Sequence, residues 1–95
     1  MEERIQALRE NIDAEYRDIA DNDYPNLNPI FRMELEIELL KCGCQVDQDH
    51  HGLLVNQKFI VAVATNKWCV KGKYVWYRYK DIPTFVKKFV TKEKA

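Results

Sequence analysis

The sequence predicts an α+β fold: two N-terminal helices, a three- to four-stranded antiparallel sheet and a C-terminal helix, in the order ααβββα, with the helices on one face of the sheet. Three observations carry that expectation. Apolar residues recur every three or four positions near both ends of the chain. After Gly43 the texture changes to short runs rich in β-branched and aromatic residues, and the connections between those runs are too short for anything but neighbouring strands. Ninety-five residues, 46% of them apolar, suffice for one modest core and hence one domain spanning 1–95.

The first helix is expected from Glu2 to about Ala20, where Ile5, Leu8, Ile12, Tyr16 and Ile19 form a single apolar stripe between charged residues. Asp21 to Asn28 gathers Asp, Asn and Pro, whose side chains and fixed φ favour a loop. Asn28 then supplies an N-cap and Pro29 a first helical residue, and Gly43 suits the left-handed position that closes a helix. Between them, Met33, Leu35, Ile37 and Leu39 alternate with Glu34, Glu36 and Glu38 like a half-buried strand. The helix-forming tendency of Met, Glu and Leu, together with the start and stop signals, decides for a helix buried on more than one side.

Strands are expected at Leu53–Val55, Lys58–Ala64, Lys67–Val70 and Tyr74–Tyr79, with a further short one at Cys44–Asp47. Turns fall at Asn56-Gln57, Thr65-Asn66 and Lys71-Gly72-Lys73. The stretch from Phe59 to Ala64 is apolar on both faces and reads as a central strand, whereas 74–79 reads as an edge. Asp81 and Pro83 open the last helix, in which Ile82, Phe85, Val86, Phe89 and Val90 share one side and Lys87, Lys88 and Lys92 the other.

Charge is sorted along the chain. Residues 1–50 hold thirteen acidic against five basic side chains, and residues 51–95 hold two against ten, so a net charge of zero conceals opposite halves. The segment 67–80, KWCVKGKYVWYRYK, concentrates the basic half around five aromatic rings and is the candidate binding surface. Its residues are Lys67, Lys71, Lys73, Tyr74, Trp76, Arg78 and Lys80, extended by Lys87 and Lys88. In an extended strand Tyr74, Trp76 and Arg78 point to one face and Val75, Tyr77 and Tyr79 to the other. The first face is the one expected to stay wet, because burying an unpaired Arg78 is costly. Trp68 should lie opposite Val75 if the turn is two residues long, or opposite Tyr74 if Gly72 forms a left-handed bulge.

Such rings beside cations can dock on an acidic protein or stack on nucleobases while lysines meet phosphates. They can also be ordinary cross-strand pairs with lysine stems laid over them. Zero net charge lacks the basic excess of a dedicated nucleic-acid binder. The expectation is therefore a non-enzymatic interaction module, binding a protein or itself as a homodimer, with nucleic-acid binding as the alternative and a metal-dependent nuclease a distant third.

The nuclease would need a carboxylate near Lys58, where Asn56 and Gln57 stand. Cys42, Cys44, Asp47, Asp49, His50 and His51 gather potential zinc ligands. However, a one-residue gap between the cysteines is short for zinc, adjacent histidines seldom face one ion, and a helix-closing Gly between two small buried residues explains the cysteines, so no metal and no cofactor is assigned. No catalytic motif, phosphate-binding loop or small-molecule signature is present. An odd number of cysteines, no secretory leader and no membrane-spanning apolar segment point to an intracellular place, cytoplasm or nucleus.

Overall fold

The structure is a computed structural model that describes residues 2–20 and 27–90. The charged, acid-first helix α1 runs Glu2–Ile19 with Ile5, Leu8 and Ile12 buried on one stripe. The expected loop at 21–26 lies outside the described residues, as does Lys92.

Helix α2, Asn28–Lys41, begins one residue earlier than Asn28 as cap would require. Leu27 is the N-cap, already in the right-handed helical region, and its carbonyl accepts the Phe31 N–H at 3.0 Å. Pro29 stands in the first turn, where a missing N–H leaves no bond unmade. The C-terminus closes as expected on Gly43, at φ +83°. The Gly43 N–H donates to the Leu40 carbonyl at 2.9 Å and the Cys44 N–H to the Leu39 carbonyl at 3.1 Å, the pair of bonds that defines a Schellman closure.

Because the Cys44 N–H is spent on the helix, the first strand starts later than the sequence suggests. β1 is Val46–Asp49, not Cys44–Asp47. It brings the sheet to five strands, one more than expected: β1, β2 (Gly52–Val55), β3 (Phe59–Val61), β4 (Lys67–Val70) and β5 (Tyr77–Arg78), antiparallel in sequence order. The central place of β3 and the edge place of β5 agree with their patterning.

Asn56 and Gln57 turn β2 into β3 with φ of 50° and 61°, and the Lys58 N–H bonds back to the Val55 carbonyl at 3.1 Å, as a type I′ connection requires. β3 is shorter than the apolar run Lys58–Ala64, because Ala64 adopts φ +66° and turns the chain toward β4.

Register sorts the sheet into two faces. Leu53, Val61 and Trp68 lie in one row and Val55, Phe59 and Val70 in the next. Both rows meet Leu35 and Leu39 of α2 and the C-terminal helix in the main apolar cluster. Leu54, Ile60 and Cys69 form a small buried cluster on the opposite face. On its other flank α2 gives Ile30 and Ile37 to a separate cluster with Ile5, Leu8 and Ile12 of α1. The expectation that α2 is buried on more than one side holds, and the cause is its place between α1 and the sheet.

Glu36, 4% exposed, is the one charged residue buried among the described residues. Arg4 of α1 meets it with Nε to Oε2 at 2.8 Å and Nη2 to Oε1 at 3.3 Å, and this hydrogen bond with the carboxylate's charge raises the Arg4 pKa. The Gln48 amide of β1 also donates to Glu36, at 3.3 Å, while Arg32 donates to the Gln48 side-chain carbonyl at 2.8 Å and to the Gly52 carbonyl at 2.9 Å. A single polar chain thus ties α1 to α2 and α2 to the first hairpin, and it takes Glu36 out of contact with solvent.

α3, Ile82–Phe85, opens at Asp81 as expected: its carboxylate accepts the Thr84 N–H at 2.8 Å. The helix then widens into a π-helical turn, Val86–Val90, which the sequence pattern does not announce. Ile82, Phe85, Val86 and Val90 are buried, while Lys87 and Lys88 face solvent.

The side-chain and backbone hydrogen bonds from Thr84 lower the Asp81 pKa, so this cap stabilises the fold fully above the ordinary aspartate range and loses that contribution as pH falls through the lowered value. Asp81→Asn keeps a capping oxygen without a titrating one. Its melting temperature is expected to fall less than that of the parent between neutral pH and pH near the acid limb. An identical fall in both proteins would refute the role.

Candidate functional site

The β4–β5 hairpin departs from both registers the sequence allowed. Trp68 pairs with Tyr77 and Lys67 with Arg78, so the connection runs from Lys71 to Trp76 and only Tyr77 and Arg78 are left to form β5. The cause is at the tip. The Lys73 and Tyr74 N–H groups both donate to the Val70 carbonyl, at 3.0 and 3.4 Å, Gly72 takes φ +93° and Tyr74 φ +52°. An aromatic residue in the left-handed region is strained by about 1–2 kcal/mol relative to glycine. Strain held at a bulky exposed residue is a pointer to use rather than to packing.

From Tyr74 to Tyr77 the alternation expected of 74–79 survives the longer loop, whereas Arg78, expected beside Tyr74 and Trp76, borders the cleft of Val75 and Tyr77. Tyr74 and Trp76 meet His51 of the β1–β2 turn, with ring centroids 5.0 and 6.5 Å apart. Val75 and Tyr77 turn instead toward Trp68 and Phe89, and Tyr77 lies 5.1 Å from the Trp68 ring. Four consecutive large residues are exposed: Tyr74 at 46%, Val75 at 57%, Trp76 at 37% and Tyr77 at 52%. Rings are therefore wet on both sides of the edge strand, not on the Tyr74, Trp76 face alone.

The cations divide in the same way. Lys71, Lys73, Arg78 and Lys80 are exposed around the hairpin, while Lys67 is half-buried directly opposite Arg78, a like-charged cross-strand pair that raises the local positive potential. Lys73 and Arg78 border a cleft that Trp68, Tyr77 and Phe89 also line. Lys87 and Lys88 lie on the π-helical turn that supplies Phe89.

His51 belongs to the site although its sequence context reads only as a metal candidate. Its backbone N–H donates to the Asp49 carboxylate at 2.9 Å and its Nδ1 lies 3.3 Å from the same oxygen. That backbone bond is the main reason the Asp49 pKa is lowered. The zinc candidates scatter: Cys44 is buried in the core, Cys42 is half-buried beside the end of α2, and His51 turns to Asp49 and the rings. Among the described residues no three His, Cys, Asp or Glu side chains stand together as metal ligands. Burial pushes up the thiols of Cys42 and Cys69, helped by the charges of Glu38 and Asp49 respectively, which leaves both poor nucleophiles.

A second cleft, of about 580 Å³, lies between α2 and the β3–β4 turn. Glu34, Glu38, the exposed ring of Phe31 and Tyr79 line it. Burial, with the charge of Glu38, raises the Tyr79 pKa and keeps its phenol neutral. Its walls are acidic and aromatic, the complement of the hairpin. Neither a family model, nor a curated protein, nor a solved structure matches the chain.

Proposed function

We propose that the chain is a small non-enzymatic interaction module that binds acidic protein surfaces, a second copy of itself included, through the aromatic and basic hairpin 71–80. The observation that carries this is the run of four exposed large residues, Tyr74 to Tyr77, at an open sheet edge among Lys71, Lys73, Arg78 and Lys80. Contiguous exposed apolar surface on a small protein marks a contact region, and Trp, Tyr and Arg are the residues that dominate contact energies. The acidic cleft with Phe31, Glu34 and Glu38 offers such a partner surface on another copy. A contact of hairpin to cleft joins two different patches and so grows head to tail unless it closes into a ring.

Nucleic-acid binding is the second reading, favoured by the exposed ring group of His51, Tyr74 and Trp76 beside cations. Against it stands the Asp49 carboxylate, hydrogen-bonded to His51, which sets a negative charge beside the rings on which a base would stack and repels that nucleotide's phosphate.

Light scattering separates the two. The average mass is expected to rise above 11.3 kDa with concentration at low salt, to fall back with added salt and to stay monomeric for Trp76→Ala, with oligonucleotides changing nothing. A monomer at every concentration would overturn self-association, and a mass that responds only to oligonucleotides would give the hairpin to nucleic acid.

A further inference from the structure

Trp68 sits in two environments at once. Its ring is packed among Phe59 at 5.7 Å, Phe85 at 5.3 Å and Phe89 at 4.6 Å, and it is 6% exposed overall. It also forms part of the floor of a cleft of about 470 Å³ between β4, the β4–β5 connection and the π-helical turn. The buried Nε1–H of this indole has no hydrogen-bond acceptor among the described residues. Leaving such a donor unmatched costs about 1–3 kcal/mol, and buried Trp N–H groups ordinarily find a partner.

The lining of the cleft specifies what could enter it. Val70, Val75, Tyr77 and Phe89 make the walls apolar, Lys73 and Arg78 bring two cations to them, and no acidic side chain among the described residues lines the space. An apolar pocket of a few hundred Å³ with a few converging polar groups is the usual form of a small-molecule site.

We infer that this cleft binds a compact apolar carboxylate. The aromatic or aliphatic body lies on Trp68, Tyr77 and Phe89, and the anion is held in the field of Lys73 and Arg78. The inference stands on the cleft itself and not on partner docking, although Lys73, Tyr77 and Arg78 take part in both.

The test reads the indole directly. In ¹⁵N-labelled protein the two tryptophan Nε1–H resonances are assigned by Trp76→Phe, which leaves that of Trp68 alone. Indole-3-acetate is then titrated, with indole-3-acetamide as the uncharged control. The acid should shift the Trp68 resonance to saturation, through its ring lying against the indole, with a Kd of about 0.1–1 mM, the range that ligand efficiency allows a molecule of this size. The amide, and the acid with Arg78→Gln, should bind about tenfold more weakly, a full unit charge being lost from the pairing.

A Trp68 resonance that stays fixed at several-fold higher acid concentration, or an amide that binds as well as the acid, would overturn the proposal. A third arm uses a short peptide ending in phenylalanine, with free and amidated C-terminus. If only the free-ended peptide binds and indole-3-acetate does not, the site belongs to a chain terminus and the small-ligand assignment fails. Loss of self-association in Trp76→Ala leaves every arm of this titration readable, so the two proposals fail separately.

Discussion

Phe85→Ala is expected to lower the unfolding free energy by about 3–5 kcal/mol, the range for deleting a fully buried aromatic side chain. Phe85 is 1% exposed, and it meets four other rings of the aromatic core: Phe59 at 5.9 Å edge-on, Trp68 at 5.3 Å, Tyr79 at 5.7 Å and Phe89 at 5.9 Å. It sits where the short α3 becomes a π-helical turn, so local helix propensity contributes little there and packing holds the segment. A domain of this length has roughly 5–14 kcal/mol to lose, so the variant should approach unfolding at room temperature. Phe31→Ala, at an exposed ring, should cost under about 1 kcal/mol. Denaturant midpoints that place the two variants together would refute the central role of Phe85.

Gly52→Ala is expected to cost about 2–4 kcal/mol, because the methyl group has nowhere to go. A Cβ on Gly52 would stand 2.1 Å from the Val61 carbonyl oxygen and 2.8 Å from its carbon, both main-chain atoms of the neighbouring strand. Relief requires moving β3 or opening the turn, and the Gly52 carbonyl is itself held by Arg32. Gly43→Ala makes the informative comparison: nothing lies within 4 Å of its Cβ position, so only the left-handed φ is penalised, at about 1–2 kcal/mol. Urea denaturation with an unchanged m-value would measure both. Equal losses would show that the clash at Gly52 relaxes.

Much of the architecture was legible because local signals agreed with the global pattern. The apolar stripes of α1 and of the last helix, the Asp81 cap, the Gly43 closure and the apolar run that became the central strand each follow from residue type and spacing. The alternating Glu34 to Leu39 segment was decided by its ends, and the structure shows why its period misleads: two flanks of one helix are covered, so apolar residues need not share a stripe.

What escaped was set by backbone conformations that residue preferences do not report. No propensity places tyrosine at φ +52°, yet that residue lengthens the hairpin loop and moves the Trp68 partner from Val75 or Tyr74 to Tyr77. The exposed rings and cations were visible as composition. Their sorting into a His51 group on one side and a Trp68 cleft on the other depends on that register and on a helix distant in sequence.

The place of α2 has one more consequence. Leu35 and Leu39 belong to the cluster under the sheet, Ile30 and Ile37 to the cluster under α1, and the glutamate between them anchors the polar chain that reaches both layers. A slide or roll of this rod by even a fraction of a turn would unseat both interfaces together. Adjustments at either surface should therefore come from the hairpin tips and the outer helix, while the middle layer behaves as a fixed spine.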